Sequence, residues 1–230
     1  MLPEKWKTLL RGPAAGTAGS GTNTTAPLLF ADGSQKETVS TRTSRGLEQF
    51  FSYIRDQVGL SILDLSGANQ SNVNFITNLG HKLYSEDFLR GLKEAFGDKD
   101  PVEQANTGRI DYFLKQNLDY HESQFDGVLV WDVLEYMSPP VLAATIERLH
   151  QIVRPKSYML AFFHSDDKKD LVPGYSFRIQ TFNSLQVSER GRRRPVQLFN
   201  NRSLEKLFHK FESVKFFLTR EHLREVIVKR

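Results

Sequence analysis

From residue 47 to residue 163, short apolar runs alternate with stretches of helical periodicity, and few architectures accommodate such an alternation. RGLEQFFSYIRDQVG places Leu47, Phe50, Phe51 and Ile54 on one helical face, with Gly59 as a stop. Ile62–Leu65 then reads as a strand, Ser71–Leu79 as a helix ended by Gly80, Lys82–Ser85 as a short strand, and Phe88–Phe96 as a helix. Ile110–Leu114 and Gly127–Trp131 read as the third and fourth strands. Pro139 and Pro140 open a helix over Val141–Val153, and Tyr158–Phe163 is the fifth strand. Alternation of this kind implies right-handed crossovers and a parallel sheet covered on both faces. The expected fold class is therefore α/β, a Rossmann-like doubly wound sheet.

Beyond residue 170 the pattern changes. Tyr175–Gln180 and Leu185–Ser188 read as a β-hairpin insertion spanning about 174–200, with Gly191 and Arg192–Arg194 in the next turn and Val196–Phe199 as a further strand. Ser203 caps a helix through His209, and Val214–Leu218 with Val226–Val228 make an antiparallel C-terminal strand pair. At the other end, residues 12–45 are rich in Gly, Ala, Thr and Ser and bury too little apolar surface to offset chain entropy. The expected division is a flexible leader over 1–45 and a single domain over 46–230.

Several function classes are excluded by composition. The chain has no cysteine, which rules out disulfides, thiolate nucleophiles and Cys-ligated zinc or iron–sulfur centres, and accords with a cytoplasmic location. No run approaches the roughly 18 apolar residues of a membrane span, and the N-terminus lacks a secretory apolar stretch. His81, His121, His150, His209 and His222 show no metal-ligand spacing, so no metal is expected. The net charge of +4 hides an asymmetry: from Gln186 to Arg230 there are 12 Lys and Arg against 5 Asp and Glu. RGRRR (Arg190–Arg194) carries charge that suits phosphates, but no RNA-recognition signature accompanies it, and a solvated loop is the expected reading.

In an open parallel sheet, ligands bind outside the C-terminal ends of the strands, where strand order reverses. Asp64, Glu86, Asn117 and Asp132 all fall at or near such ends. The turn after the first strand, ILDLSGANQSNV, has one glycine and no nearby lysine, so it is poorly suited to a pyrophosphate. Acid and amide groups suit a ligand with ribose hydroxyls and positive charge, and Glu86, 22 residues after Asp64, is spaced to accept a ribose.

Residues 47–164 resemble the class I S-adenosylmethionine-dependent methyltransferases, in the broad group of small bacterial methyltransferase domains. ILDLSGAN stands at the family's acidic residue and glycine-rich turn, KLYSED at its second-strand acid, FLKQNL at its third-strand end, and FDGVLVWDVLEYM at the aspartate-aromatic pattern after its fourth strand. The resemblance implies S-adenosylmethionine as cofactor, held by Asp64, Ser66, Gly67, Ala68, Glu86 with Asp87 as the alternative, Asn117, Leu118, Asp132 and Val133. Ser66 and Ala68 take positions usually held by glycine, and Gln70 takes a third; a non-glycine residue at positive φ would cost about 1–2 kcal/mol there.

The implied activity is methyl transfer to an unidentified acceptor, in which the protein supplies position and desolvation rather than covalent chemistry. His164, beside Asp166 and Asp167 after the fifth strand, is the candidate general base, and solvated loop residues are the competing reading. Two other functions compete: a non-catalytic module of the same fold that binds a partner through its basic C-terminal part, and a nicotinamide-dependent oxidoreductase. The second fits less well, since its pyrophosphate needs the missing glycines.

Overall fold

A computed structural model describes residues 30–31, 38–97, 104–165, 170–218 and 223–230. Strands β1 (Phe30–Ala31) and β2 (Val39–Thr43) precede helix α1 (Arg45–Ile54), which Ser44 opens by accepting a hydrogen bond from the Leu47 amide. β3 (Ser61–Asp64) leads into α2 (Gln70–Asn78), capped by Asn69, and β4 (Lys82–Ser85) into α3 (Phe88–Phe96), capped by Asp87. α4 (Thr107–Asn117) is followed by β5 (Phe125–Trp131), a 3-10 turn (Val133–Tyr136), α5 (Pro139–Ile152) and β6 (Val153–His164). The hairpin strands β7 (Val172–Thr181) and β8 (Ser184–Arg193), α6 (Asn201–Leu207), β9 (Ser213–Leu218) and β10 (Leu223–Lys229) complete the chain. No helix among the described residues is long and apolar enough to cross a membrane.

The central sheet has the order β4-β3-β5-β6-β10-β9, with β4, β3, β5 and β6 mutually parallel and β10 antiparallel to both neighbours. It is a Rossmann-like sheet with an antiparallel C-terminal strand pair. The chain leaves β3 for β4 and then returns to β5 on the opposite side, so strand order reverses between β3 and β5. Side-chain alternation divides the core between the sheet's two faces. Leu63, Val128, Val130, Met159, Ala161 and Phe163 pack with α3, α4, α5 and α6, while Ile62, Leu129, Trp131, Leu160 and Phe162 pack with α1, α2 and the hairpin. Gly127 lets α1 sit close on this second face, since a Cβ there would lie 2.8 Å from the Phe50 ring.

The expected third strand at Ile110–Leu114 is instead the middle of α4. Asn106 caps that helix by accepting from the Arg109 amide, and Ile110 and Phe113 are buried at helical spacing while Asp111 and Tyr112 face outward. The sheet therefore ends at β4. Val196–Phe199, expected as a strand, is irregular; the Val196 and Gln197 amides donate to the Glu135 carbonyl, outside any ladder.

Arg192 and Arg193 lie in β8 rather than in the turn after it, because β8 finds partners on both sides: β7 on one, and β1 with β2 on the other. The segment expected as leader contributes β2, whose β-branched Val39, Thr41 and Thr43 pair with Ser188, Gln186 and Ser184. Residues 1–29 and 32–37 of that segment lie outside the described residues.

Candidate functional site

Asp64 ends β3 fully buried, and its carboxylate organises the turn that follows. Oδ1 accepts from the Ser66 amide at 2.9 Å, the Ser66 hydroxyl at 2.8 Å and Trp131 Nε1 at 2.7 Å, and Oδ2 accepts from Asn72 Nδ2 at 3.0 Å. Burial pushes its pKa up, and these donors pull it back. Only Gly67 in this turn has positive φ, at 84°. That conformation favours glycine, and a Cβ there would also lie close to Asp87, at 3.3 Å. Ser66 and Ala68 carry none of the expected strain, because the turn does not use left-handed backbone at their positions.

The hairpin is attached directly to this turn. Asn72, fully buried at the start of α2, donates to the Phe177 carbonyl at 3.3 Å and accepts from the Ile179 amide at 2.9 Å. The Phe177 ring stacks on Trp131 with centroids 4.9 Å apart. Trp131 holds a φ of 56°, uncommon for a bulky residue, and the next residue is Asp132. Neither asparagine of the Asn69–Asn72 pair was singled out from sequence. Their Asn-x-x-Asn spacing at a helix start is the available signal, since Asn69 accepts from the Asn72 amide as a cap.

Between the turn and the hairpin lies a cavity of about 290 Å³, at the place where strand order reverses. The turn Ser66–Asn69 forms one wall, Asp87, Asp132 and Val133 another, and Tyr175–Arg178 with Arg190 and Arg193 the third. Asp132 is 2% exposed, and its Oδ2 has no hydrogen-bond partner among the described residues. Burial raises the Asp132 pKa, with Arg193, His164 and the backbone amides of Asp132 and Tyr175 acting in the opposite direction. The arginine run expected as a solvated loop thus supplies part of the cavity wall.

The other expected site residues fall elsewhere. Glu86 and Asn117, again with Asp87, line a separate groove of about 210 Å³ between α3 and α4. Glu86 Oε1 accepts from the Tyr120 hydroxyl at 2.5 Å, which commits that oxygen. Asn117 sits at the end of a helix rather than of a strand and donates to the Phe113 carbonyl at 2.8 Å. Leu118 is fully buried in the core, and Asp64 lies behind the turn; neither lines the cavity or the groove.

His164, the candidate base, has both ring nitrogens engaged: Nδ1 lies 2.6 Å from Glu135 Oε2, and Nε2 lies 3.1 Å from the Pro173 carbonyl. Its ring stacks on Tyr175, and it lines neither the cavity nor the groove. With an acceptor on each side, the ring needs both protons to keep both bonds. Asp166 and Asp167 lie outside the described residues.

Burial disfavours the charged ring, but Glu135 and then Asp132 outweigh it, and the pKa of His164 is raised from 6.5. The stability it contributes is complete below the ordinary value and is lost as pH rises through the elevated one. The melting temperature should therefore fall more steeply from pH 6.5 upward in the native chain than in His164→Gln. Equal slopes would show that the ring is neutral in the fold.

No protein-family model and no curated protein matches the chain. Among solved structures, the fold is similar to 1,6-didemethyltoxoflavin-N1-methyltransferase of Burkholderia thailandensis, with 13% identity, a TM-score of 0.44 and coverage of 80% of this chain and 76% of that one. It is also similar to an S-adenosylmethionine-dependent methyltransferase of Methanosarcina mazei (12% identity, TM-score 0.45, 78% and 95% covered). A third similar structure is an S-adenosylmethionine-dependent methyltransferase of Clostridium acetobutylicum (13% identity, TM-score 0.45, 80% and 91% covered).

Proposed function

We propose that the cavity between the β3 turn and the hairpin binds S-adenosylmethionine, and that the protein transfers its methyl group to an acceptor. The observation that carries this reading is Asp132, a buried acid that lines a cavity at the sheet's switch point and has one oxygen without a hydrogen-bond partner among the described residues. A buried acid in that state calls for a cationic donor, and an α-ammonium group supplies one. Arg193, whose charge acts on Asp132, lines the same cavity.

When bound, S-adenosylmethionine supplies a sulfonium methyl that an acceptor lone pair attacks as the carbon–sulfur electron pair returns to sulfur. The chain's own contribution is to hold, orient and exclude water. Val133, Tyr175 and Phe177 give the cavity apolar surface, and the hairpin covers it. The residues present suit the ribose through Asp87 rather than Glu86. Asp87 borders both the turn cavity and the α3–α4 groove, whereas Glu86 is bonded to Tyr120.

Calorimetric titration with S-adenosylhomocysteine tests the reading, and no heat at millimolar ligand would remove it. Asp87 caps α3 through the Arg90 amide, so serine is the substitution that keeps a cap while removing the carboxylate. Asp87→Ser should weaken binding about tenfold or more, the scale of one hydrogen bond to a charged group. Glu86→Gln should change it little, and the reverse order would return the ribose to Glu86.

A further inference from the structure

Helices α5 and α6, with the turns on either side of α6, enclose a groove of about 530 Å³ that shares no lining residue with the turn–hairpin cavity. Its volume is that of a small-molecule site. Leu142 and Ile146 of α5, Leu207 of α6, and Phe199 and Phe211 from the adjoining turns give it an apolar lining. Phe199 and Phe211 are 9% and 8% exposed, the least covered of the core phenylalanines, so the groove leaves ring surface open to a ligand.

Two contacts between α5 and the turn after α6 close one end of the groove. Lys210 Nζ donates to Glu147 Oε2 at 2.5 Å, and the His150 ring meets Phe211 edge-on with centroids 5.0 Å apart. Gln197, on another wall, is fixed by donating to the Met137 carbonyl at 2.9 Å. A partner helix laid between α5 and α6 would have to run out past the closed end, whereas a compact molecule stops short of it.

Charge selects among compact molecules. Glu147 is the acid of the lining, and its bond to Lys210 holds its pKa below the ordinary value, so that pair is charged and self-compensating. Burial lowers the pKa of His150 from 6.5, which leaves the ring neutral at pH 7. Lys206 also lines the groove, and its ammonium has no hydrogen bond or ion pair among the described residues. The lining thus sets one unmatched positive charge beside an apolar floor. A carboxylate on an apolar body answers both features, and an apolar cation answers only the second.

We propose that this groove is a second ligand site, and that it takes a small amphipathic anion whose apolar body lies on Leu142, Ile146, Phe199 and Phe211 and whose carboxylate meets Lys206. The test is calorimetric titration of the full chain with octanoate, decanoate and octanol. Octanoate should bind, and decanoate about tenfold more tightly, the effect of burying two further methylenes. Octanol, with the same chain and no charge, should bind about tenfold more weakly than octanoate. Lys206→Gln should bring octanoate to the level of octanol and leave octanol unchanged. Ala143→Phe sets a ring into the groove from an exposed position on α5 and should weaken all three ligands about tenfold or more. S-adenosylhomocysteine affinity should be the same in both variants as in the native chain, which also shows that they fold.

No heat with decanoate at millimolar concentration overturns the proposal, as does equal affinity for octanoate and octanol. Octanoate binding that survives Ala143→Phe would place the acid elsewhere, and competition with S-adenosylhomocysteine would place it in the turn–hairpin cavity; either overturns the second site. A native chain that sediments as a dimer while Ala143→Phe sediments as a monomer would give the groove to a second copy. Tighter binding of an acidic amphipathic helical peptide than of decanoate, lost in Ala143→Phe, would give it to a protein partner. Each of these outcomes leaves the cofactor reading untouched, because the two cavities have no residue in common.

Discussion

Glu225→Ala is expected to lower the stability of the protein by about 3–5 kcal/mol, the cost of removing one partner from a buried ion pair. Glu225 is fully buried on β10 and serves two donors: Arg42 Nη2 at 3.1 Å and the Gly46 amide at 2.6 Å. The first comes from β2 and the second from the opening turn of α1, so one carboxylate anchors the start of the described domain to the central sheet. Gly46 has no room for a side chain, since a Cβ would lie 2.9 Å from Leu160 and 3.0 Å from Glu225 itself. The close approach of the helix start to β6 and β10 thus depends on glycine at this position.

Two further variants keep this prediction open to refutation. Arg42→Met/Glu225→Leu removes both charges and should recover part of the loss, because the buried guanidinium no longer has to do without this carboxylate. Recovery should be incomplete, since the Gly46 amide still lacks its acceptor. Glu225→Gln keeps an oxygen for that amide and should be the mildest of the three. Urea unfolding midpoints would rank them, and a Glu225→Ala loss below about 1 kcal/mol would show that the site is hydrated and the pair weak. Because β2 pairs with β8, loosening this anchor should also reach the arginines on the cavity wall.

The central sheet was legible because its inner strands are buried on two faces: Gly127–Trp131 and Tyr158–Phe163 read as continuous apolar runs, and Ile62–Leu65 as one interrupted only by Asp64. The α4 segment was misread because a five-residue window holds both patterns: Ile110, Tyr112 and Leu114 alternate, while Ile110, Phe113 and Leu114 have helical spacing. The exposed Asp111 and Tyr112 between them settle the matter only once the surrounding structure is known.

At the site, the acids at strand ends could be found because a strand end is a local feature. What surrounds them could not. Asn72 meets Phe177 across 105 residues of sequence, and Trp131 meets Asp64 across 67. RGRRR has the composition of a solvated loop, and only the pairing of β8 with β7, β1 and β2 places Arg190 and Arg193 at the cavity. His164 was placed correctly at a strand end, but its partners Glu135 and Pro173 come from elements that give no sign of it in sequence.

Trp131→Ala should cost about 3–5 kcal/mol and detach the hairpin from the β3 turn. The indole has three attachments: Nε1 donates to Asp64, one face stacks on Phe177, and its edge meets Phe162 at a centroid distance of 5.5 Å. All three are made from left-handed backbone that costs a non-glycine residue about 1–2 kcal/mol, so the fold tolerates strain here in exchange for a bridge between turn and hairpin. Alanine keeps most of that strain and loses the bridge.

The companion Trp131→Phe keeps an aromatic face for Phe177 but loses part of the buried ring and the donor to Asp64, the latter worth roughly 1.5–3 kcal/mol for a bond to a buried carboxylate. Asp64 would still hold the Ser66 amide and hydroxyl, so the turn itself should persist. If the hairpin is held chiefly by the stack, Trp131→Ala becomes sensitive to protease between residues 170 and 200 and loses S-adenosylhomocysteine binding, while Trp131→Phe remains protected. If Asn72 alone suffices, through its bonds to Phe177 and Ile179, the hairpin stays protected in both variants and ligand affinity is unchanged. That second result would move control of the cavity wall from Trp131 to the start of α2.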